Sequence, residues 1–97
     1  MRFEPNKETP AEHIKELQVH AEVAKFSLLF SREPEEHARL AKNLAELMTI
    51  TADTAKMPRC GKSQKNTLRA LWRVFNSCRN HHIKICKAED LYRKTPR

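Results

Sequence analysis

The chain has 97 residues and carries 19 Lys and Arg against 12 Asp and Glu, a net charge of +7. That length suits one small domain, too small to cover all of its apolar surface internally, so part of that surface is left for a partner. Three cysteines, an odd number, and an N-terminus without a long apolar run predict no disulfide framework, secretion signal or membrane span, and fit a reducing cytosol.

The chain contains one Gly, Gly61, and its longer segments follow a helical period, so the expected class is all-α. Residues 1–8 read as a polar arm. Thr9-Pro10-Ala11-Glu12 then signals a helix start: Thr9 caps, Pro10 fits the first helical position and Glu12 completes a capping box. This helix is expected to run to about Phe30. Ile14, Leu17, Ala21, Ala24 and Leu28 make one apolar stripe, and Val19, Val23, Phe26 and Phe30 make a second. Two stripes predict burial on two sides, either as the central helix of the domain or with a partner, which includes a second copy of the chain.

Pro34 forbids continuation of that helix and suits the first turn of the next, where Glu33, Glu35 and Glu36 favour the positive end of the dipole. Leu40, Leu44 and Leu47 form an apolar row. Beside it, Ala41, Ala45, Met48, Ala52 and Ala55 permit close packing, predicted as an antiparallel hairpin on the first helix. The second helix is expected to end between Ile50 and Lys56.

Met57–Lys62 reads as a hinge, with Pro58 as a stop and Gly61 as a turn. The charge changes sign here. Residues 1–55 hold 7 basic and 10 acidic side chains, net −3; residues 56–97 hold 12 and 2, net +10. The expected organisation is a single domain, 1–97, made of an acidic helical hairpin over 1–56, a hinge over 57–62 and a basic helical half over 63–97. A third, amphipathic basic helix is predicted over 63–80, capped by Ser63, and a separate short helix over 87–94.

The third helix dominates the functional reading. Val74, Thr67, Cys78, Leu71, Phe75, Leu68 and Trp72 fall on one arc, and Lys65, Asn76, Arg69, Asn80, Arg73 and Asn66 fall beside it. Arg79 breaks the pattern by falling within the apolar arc. Lys62, Lys65, Arg69, Trp72, Arg73 and Arg79 are therefore the candidate contacts for a polyanion or an acidic protein surface. Arg and Lys neutralise phosphates or carboxylates, Asn reads base edges, and Arg and Trp anchor protein interfaces.

Other chemistry is weaker. Gly61-Lys62-Ser63 resembles the end of a phosphate-binding loop, but Lys56 stands where the first Gly is needed and a helix precedes it instead of a strand. Cys60, Cys78, His81 or His82, and Cys86 are soft zinc ligands without a Cys-x-x-Cys pair, and buried reduced Cys is the favoured reading. His13, His20 and His37 have no nucleophile or paired carboxylate beside them and are expected on the surface or facing the hairpin. No catalytic residue, cofactor or resident metal is expected. A helix-turn-helix is disfavoured by long helices and a long connection.

The length, the Met1-Arg2-Phe3-Glu4-Pro5 opening, the helical middle and the basic stretch from Pro58-Arg59-Cys60-Gly61-Lys62-Ser63 to Arg73 together resemble the anti-RecBCD accessory proteins of lambdoid temperate phages. The resemblance implies a non-enzymatic protein of the host cytoplasm. Such proteins bind the host RecBCD helicase–nuclease, protect linear phage DNA ends and favour phage recombination. The alternative read from the residues is a small DNA-binding regulator or recombination accessory that uses the basic helix.

Overall fold

A computed structural model describes residues 9–30 and 33–94, with side chains described up to Lys87. It consists of three α-helices, α1 (Pro10–Ser27), α2 (Pro34–Ala55) and α3 (Lys62–Lys94), and no strand among the described residues. The fold is all-α.

The start of α1 is set locally. Thr9 is extended (φ −84°, ψ 158°), and its Oγ1 accepts the Glu12 backbone N–H at 3.4 Å. Pro10 occupies the first turn, where a missing N–H costs nothing. The helix closes at Ser27, whose hydroxyl donates to the Ala24 carbonyl at 2.7 Å, and a short turn carries the chain through Phe30. α2 begins at Pro34 and ends at Ala55, three residues before Pro58, because a proline disfavours helical backbone at the residue before it.

The 56–61 connection is packed. Cys60 is buried in the core, and its N–H donates to the Met57 carbonyl at 3.0 Å. The cap of α3 lies two residues earlier than the expected Ser63. Gly61 is the capping residue: its carbonyl accepts the Lys65 N–H, and its own N–H donates to the Gln64 side chain, both at 2.9 Å. That second bond is the returning half of a capping box.

Two expectations are corrected. α3 is one continuous helix of 33 residues, about 50 Å long, where a break after Asn80 and a separate short helix over 87–94 were expected. Nothing between Lys62 and Lys94 is Pro or Gly. The buried positions Leu68, Leu71, Phe75, Cys78 and His82 also keep a single phase of three- and four-residue steps. His82 reads as polar in the sequence but occupies a core position.

Of the two readings that the double stripe of α1 left open, the central helix of the domain or contact with a partner, α1 is not the central helix. α3 is, lying along α2 over most of its length and receiving α1 on its other flank. The stripe Ile14, Leu17, Ala21, Ala24 is buried, whereas Val19, Val23, Phe26 and Phe30 face solvent. α1 and α2 are antiparallel, with His13 at the start of one meeting Thr54 at the end of the other (Nδ1 to Oγ1, 3.4 Å). α2 and α3 are antiparallel too: Cys86, late in α3, donates its Sγ–H to the Pro34 carbonyl at 3.6 Å. The core centres on Leu17, Leu68 and Phe75, which are 1 % exposed or less.

Candidate partner-binding groove

Packing Leu68, Leu71 and Phe75 inward fixes the rotation of α3 and turns its basic arc outward, along the edge shared with α2. Lys65, Arg69 and Arg73 stand one turn apart on that edge and are exposed. With Trp72 and Leu68 they form one wall of a depression of about 370 Å³, closed on the α2 side by Thr51, Ala52 and Ala55. A second depression, of about 360 Å³, continues from Trp72 to Arg79 and is walled by Ala45, Met48, Thr49, Ala52, Asp53 and Lys56. Trp72 and Ala52 border both, so the two form one groove. No α1 residue lines it.

Trp72 is 38 % exposed, unusual for the only Trp of the chain, and it stands in the middle of the groove. Arg79 is half-buried, and its Nε is enclosed without a hydrogen-bond partner. Its odd place in the apolar arc thus puts it partly inside the molecule, where it lines the second depression together with Met48 and Trp72. Lys62 is exposed at the first position of α3, apart from either depression. Thus Lys65, Arg69, Trp72 and Arg73 come together, Arg79 joins them through Trp72, and Lys62 lies outside.

The α2 wall was not singled out as site residues. Its signal in the sequence was the row of small residues Ala45, Ala52 and Ala55. That row was read for close helix packing, and it also leaves room beside Trp72. Lys56 adds a cation and Asp53 an anion to the rim.

The electrostatics add to one another. The first turn of α3 has no acidic residue. Lys62 and Lys65 stand instead near the positive end of the helix dipole, where cations are disfavoured. The Lys25–Glu22 ion pair, at 2.7 Å, lies on α1, and neither residue lines the groove. Cations held against a helix dipole cost stability, a local conflict expected where a charged partner is bound.

The zinc set is dispersed. Cys60 precedes α3, and Cys86 lies about 36 Å further along it. Among the described residues no three His, Cys, Asp or Glu gather into a possible metal site. Cys78 is 3 % exposed, and burial pushes its thiol pKa up, with Lys25 opposing. His13 and His37 face the helix interfaces and are buried, whereas His20 is half-buried. Gly61-Lys62-Ser63 follows α2 and a turn, the wrong context for a phosphate-binding loop. Among the described residues no helix is long and apolar enough to cross a membrane.

Comparison with protein-family models, curated proteins and solved structures finds no match to this chain.

Proposed function

We propose that this protein is a non-enzymatic modulator of the host RecBCD helicase–nuclease, docking on it through the α2–α3 groove, protecting phage DNA ends and favouring phage recombination in the host cytoplasm. One observation carries the docking site: Lys65, Arg69, Arg73 and the exposed Trp72 line a single open groove. Guanidinium groups pair with carboxylates in a bidentate fork, and a half-exposed indole beside an apolar floor is suited to insertion between helices. The resemblance of the opening and of the basic stretch to the anti-RecBCD accessory proteins supports the choice of partner.

The second reading, direct DNA binding, draws on Asn76 and Asn80. They share the α3 edge with the cations and could donate to base edges.

Linear duplex DNA mixed with the protein, with and without RecBCD, at two salt concentrations, separates the two. Slowed RecBCD digestion without DNA binding by the protein alone supports modulation. DNA binding without RecBCD, falling about tenfold or more over a few-fold rise in salt, replaces it with the DNA reading. Replacing Arg69 and Arg73 together by Ala should weaken complex formation at unchanged helicity, and unchanged affinity would remove the groove from the interface.

A further inference from the structure

A pair of packed helices has two furrows. α1, which packs against both α2 and α3, covers one of them, and no α1 residue lines the other. That open furrow is the groove, and it follows α3 from Lys65 to Arg79, about 21 Å of helix rise. Its floor is apolar, built from Ala52, Ala55, Leu68 and Trp72, with Met48 beside them. The hydroxyls of the α2 wall are already used within their own helix. Thr51 donates to the Leu47 carbonyl at 2.6 Å, and Thr49 donates to the Ala45 carbonyl at 3.1 Å. An extended peptide laid on this floor would press backbone N–H and C=O groups against Ala, Leu and Trp, with nothing to bond. An α-helix satisfies those groups within itself, and its side-chain ridges interlock with a furrow of this kind.

The rims specify the charge. On the α3 side Lys65, Arg69 and Arg73 are exposed at four-residue steps, about 6 Å apart along the axis. Carboxylates four residues apart on a second helix have the same spacing, so the two rows pair in register. The α2 rim is mixed, with Asp53 near Lys56. A phosphate backbone, negative along its whole length, would be repelled by Asp53 and has no apolar face for Trp72 and Ala52. Given the groove as the docking site, on which this rests, we propose that its occupant is one amphipathic α-helix of the partner protein. Acidic residues one turn apart run along the flank that faces α3, and an apolar stripe seats on Trp72 and Ala52.

The test is titration of the full chain with two synthetic peptides of one composition, each of about 18 residues, long enough to be helical and to span the groove. One carries three Glu at four-residue steps beside a Leu stripe. The other has the same residues with the Glu spread evenly round the helix. The fluorescence of Trp72, the only Trp, reports binding. The first peptide is expected to shift it and to bind about tenfold or more tightly than the second. The double variant Arg69→Ala, Arg73→Ala should lose about tenfold or more of that affinity at unchanged helicity. Equal binding of the two peptides, no binding of either, or binding that the double variant keeps overturns the helix. Duplex DNA that shifts Trp72 where the peptide does not would give the groove to nucleic acid. A peptide-free mass that rises above 11.4 kDa with concentration, in the native chain but not in the double variant, would give it to a second copy.

RecBCD digestion of linear DNA with the same variant separates this outcome from the docking reading. If the peptides fail while the variant no longer slows digestion, the groove remains the docking site and the helix falls. If the peptide binds through Arg69 and Arg73 while the variant slows digestion as the native protein does, the helix stands and RecBCD docking through the groove falls.

Discussion

His37 of α2 and His82 of α3 face each other across the core with their Nδ1 atoms 2.8 Å apart and their rings tilted by 39°. One nitrogen donates and the other accepts, so the bond needs a specific pair of tautomers or a single shared proton. It ties α3 to the start of α2, near the Cys86–Pro34 contact. Replacing either His by Ala removes a buried hydrogen bond, with an expected loss of about 1–3 kcal/mol by denaturant unfolding. The double replacement His37→Ala, His82→Ala should cost less than the sum of the singles, since residues in one bond couple by about 0.5–3 kcal/mol. Strict additivity would mean that the bond contributes nothing.

The three thiols should separate by reactivity. Cys60 and Cys78 are buried, whereas Cys86 is half-buried. One thiol per chain, Cys86, should alkylate readily in the folded protein, with the other two reacting after unfolding. Burial raises the Cys78 pKa above 9.0. The sign follows from linkage: the folded form holds its proton more tightly than the unfolded one. The favourable contribution is present below about pH 9 and is lost as pH rises through the folded value. Cys78→Ala should therefore lose less stability than the native chain between neutral and alkaline pH, measured as the difference between their denaturation midpoints.

The helices, their order and the buried faces of α2 and the first half of α3 were legible because apolar period, Pro10, Pro34 and Pro58 all mark them locally. The continuity of α3 was not. His81 and His82 read as a polar interruption, and only the partner His37, 45 positions away, makes a core residue of His82. The centrality of α3 was hidden for a related reason. Two stripes on α1 look like burial on two sides, and a sequence does not say which stripe is left to solvent. The cations Lys65, Arg69 and Arg73 were legible as one edge, but the groove needs Ala52 and Ala55 from α2, and alanines carry no functional signal of their own.

Phe75 and Trp72 are three residues apart on α3 and should behave oppositely. Phe75 is 0 % exposed, and Trp72 is 38 % exposed. Phe75→Ala should cost about 3–5 kcal/mol through the cavity it leaves, a large share of the stability of so small a domain. Trp72→Ala should cost far less stability and act on the groove instead. As the only Trp, Trp72 also reports binding directly through its fluorescence, which a partner seated in the groove should shift. An unshifted spectrum in a formed complex would place the interface elsewhere.

Lys62 and Lys65 offer the sharpest separation of stability from function. Both stand in the first turns of α3, where the dipole disfavours them, Lys65 repels Lys62 one turn away and Arg69 repels Lys65. Reversing each to Glu should raise stability by about 0.3–1 kcal/mol per site at low salt, an effect that fades as salt is added. If the groove receives an acidic surface or a phosphate backbone, Lys65→Glu should weaken that complex at the same time. Lys62→Glu, outside the depressions, should weaken it less. Denaturant midpoints and partner affinities of the two variants, measured in the same buffers, check both halves. A Lys65→Glu variant that gains stability and keeps its affinity would show that the cations on this edge are solvated charges without a partner.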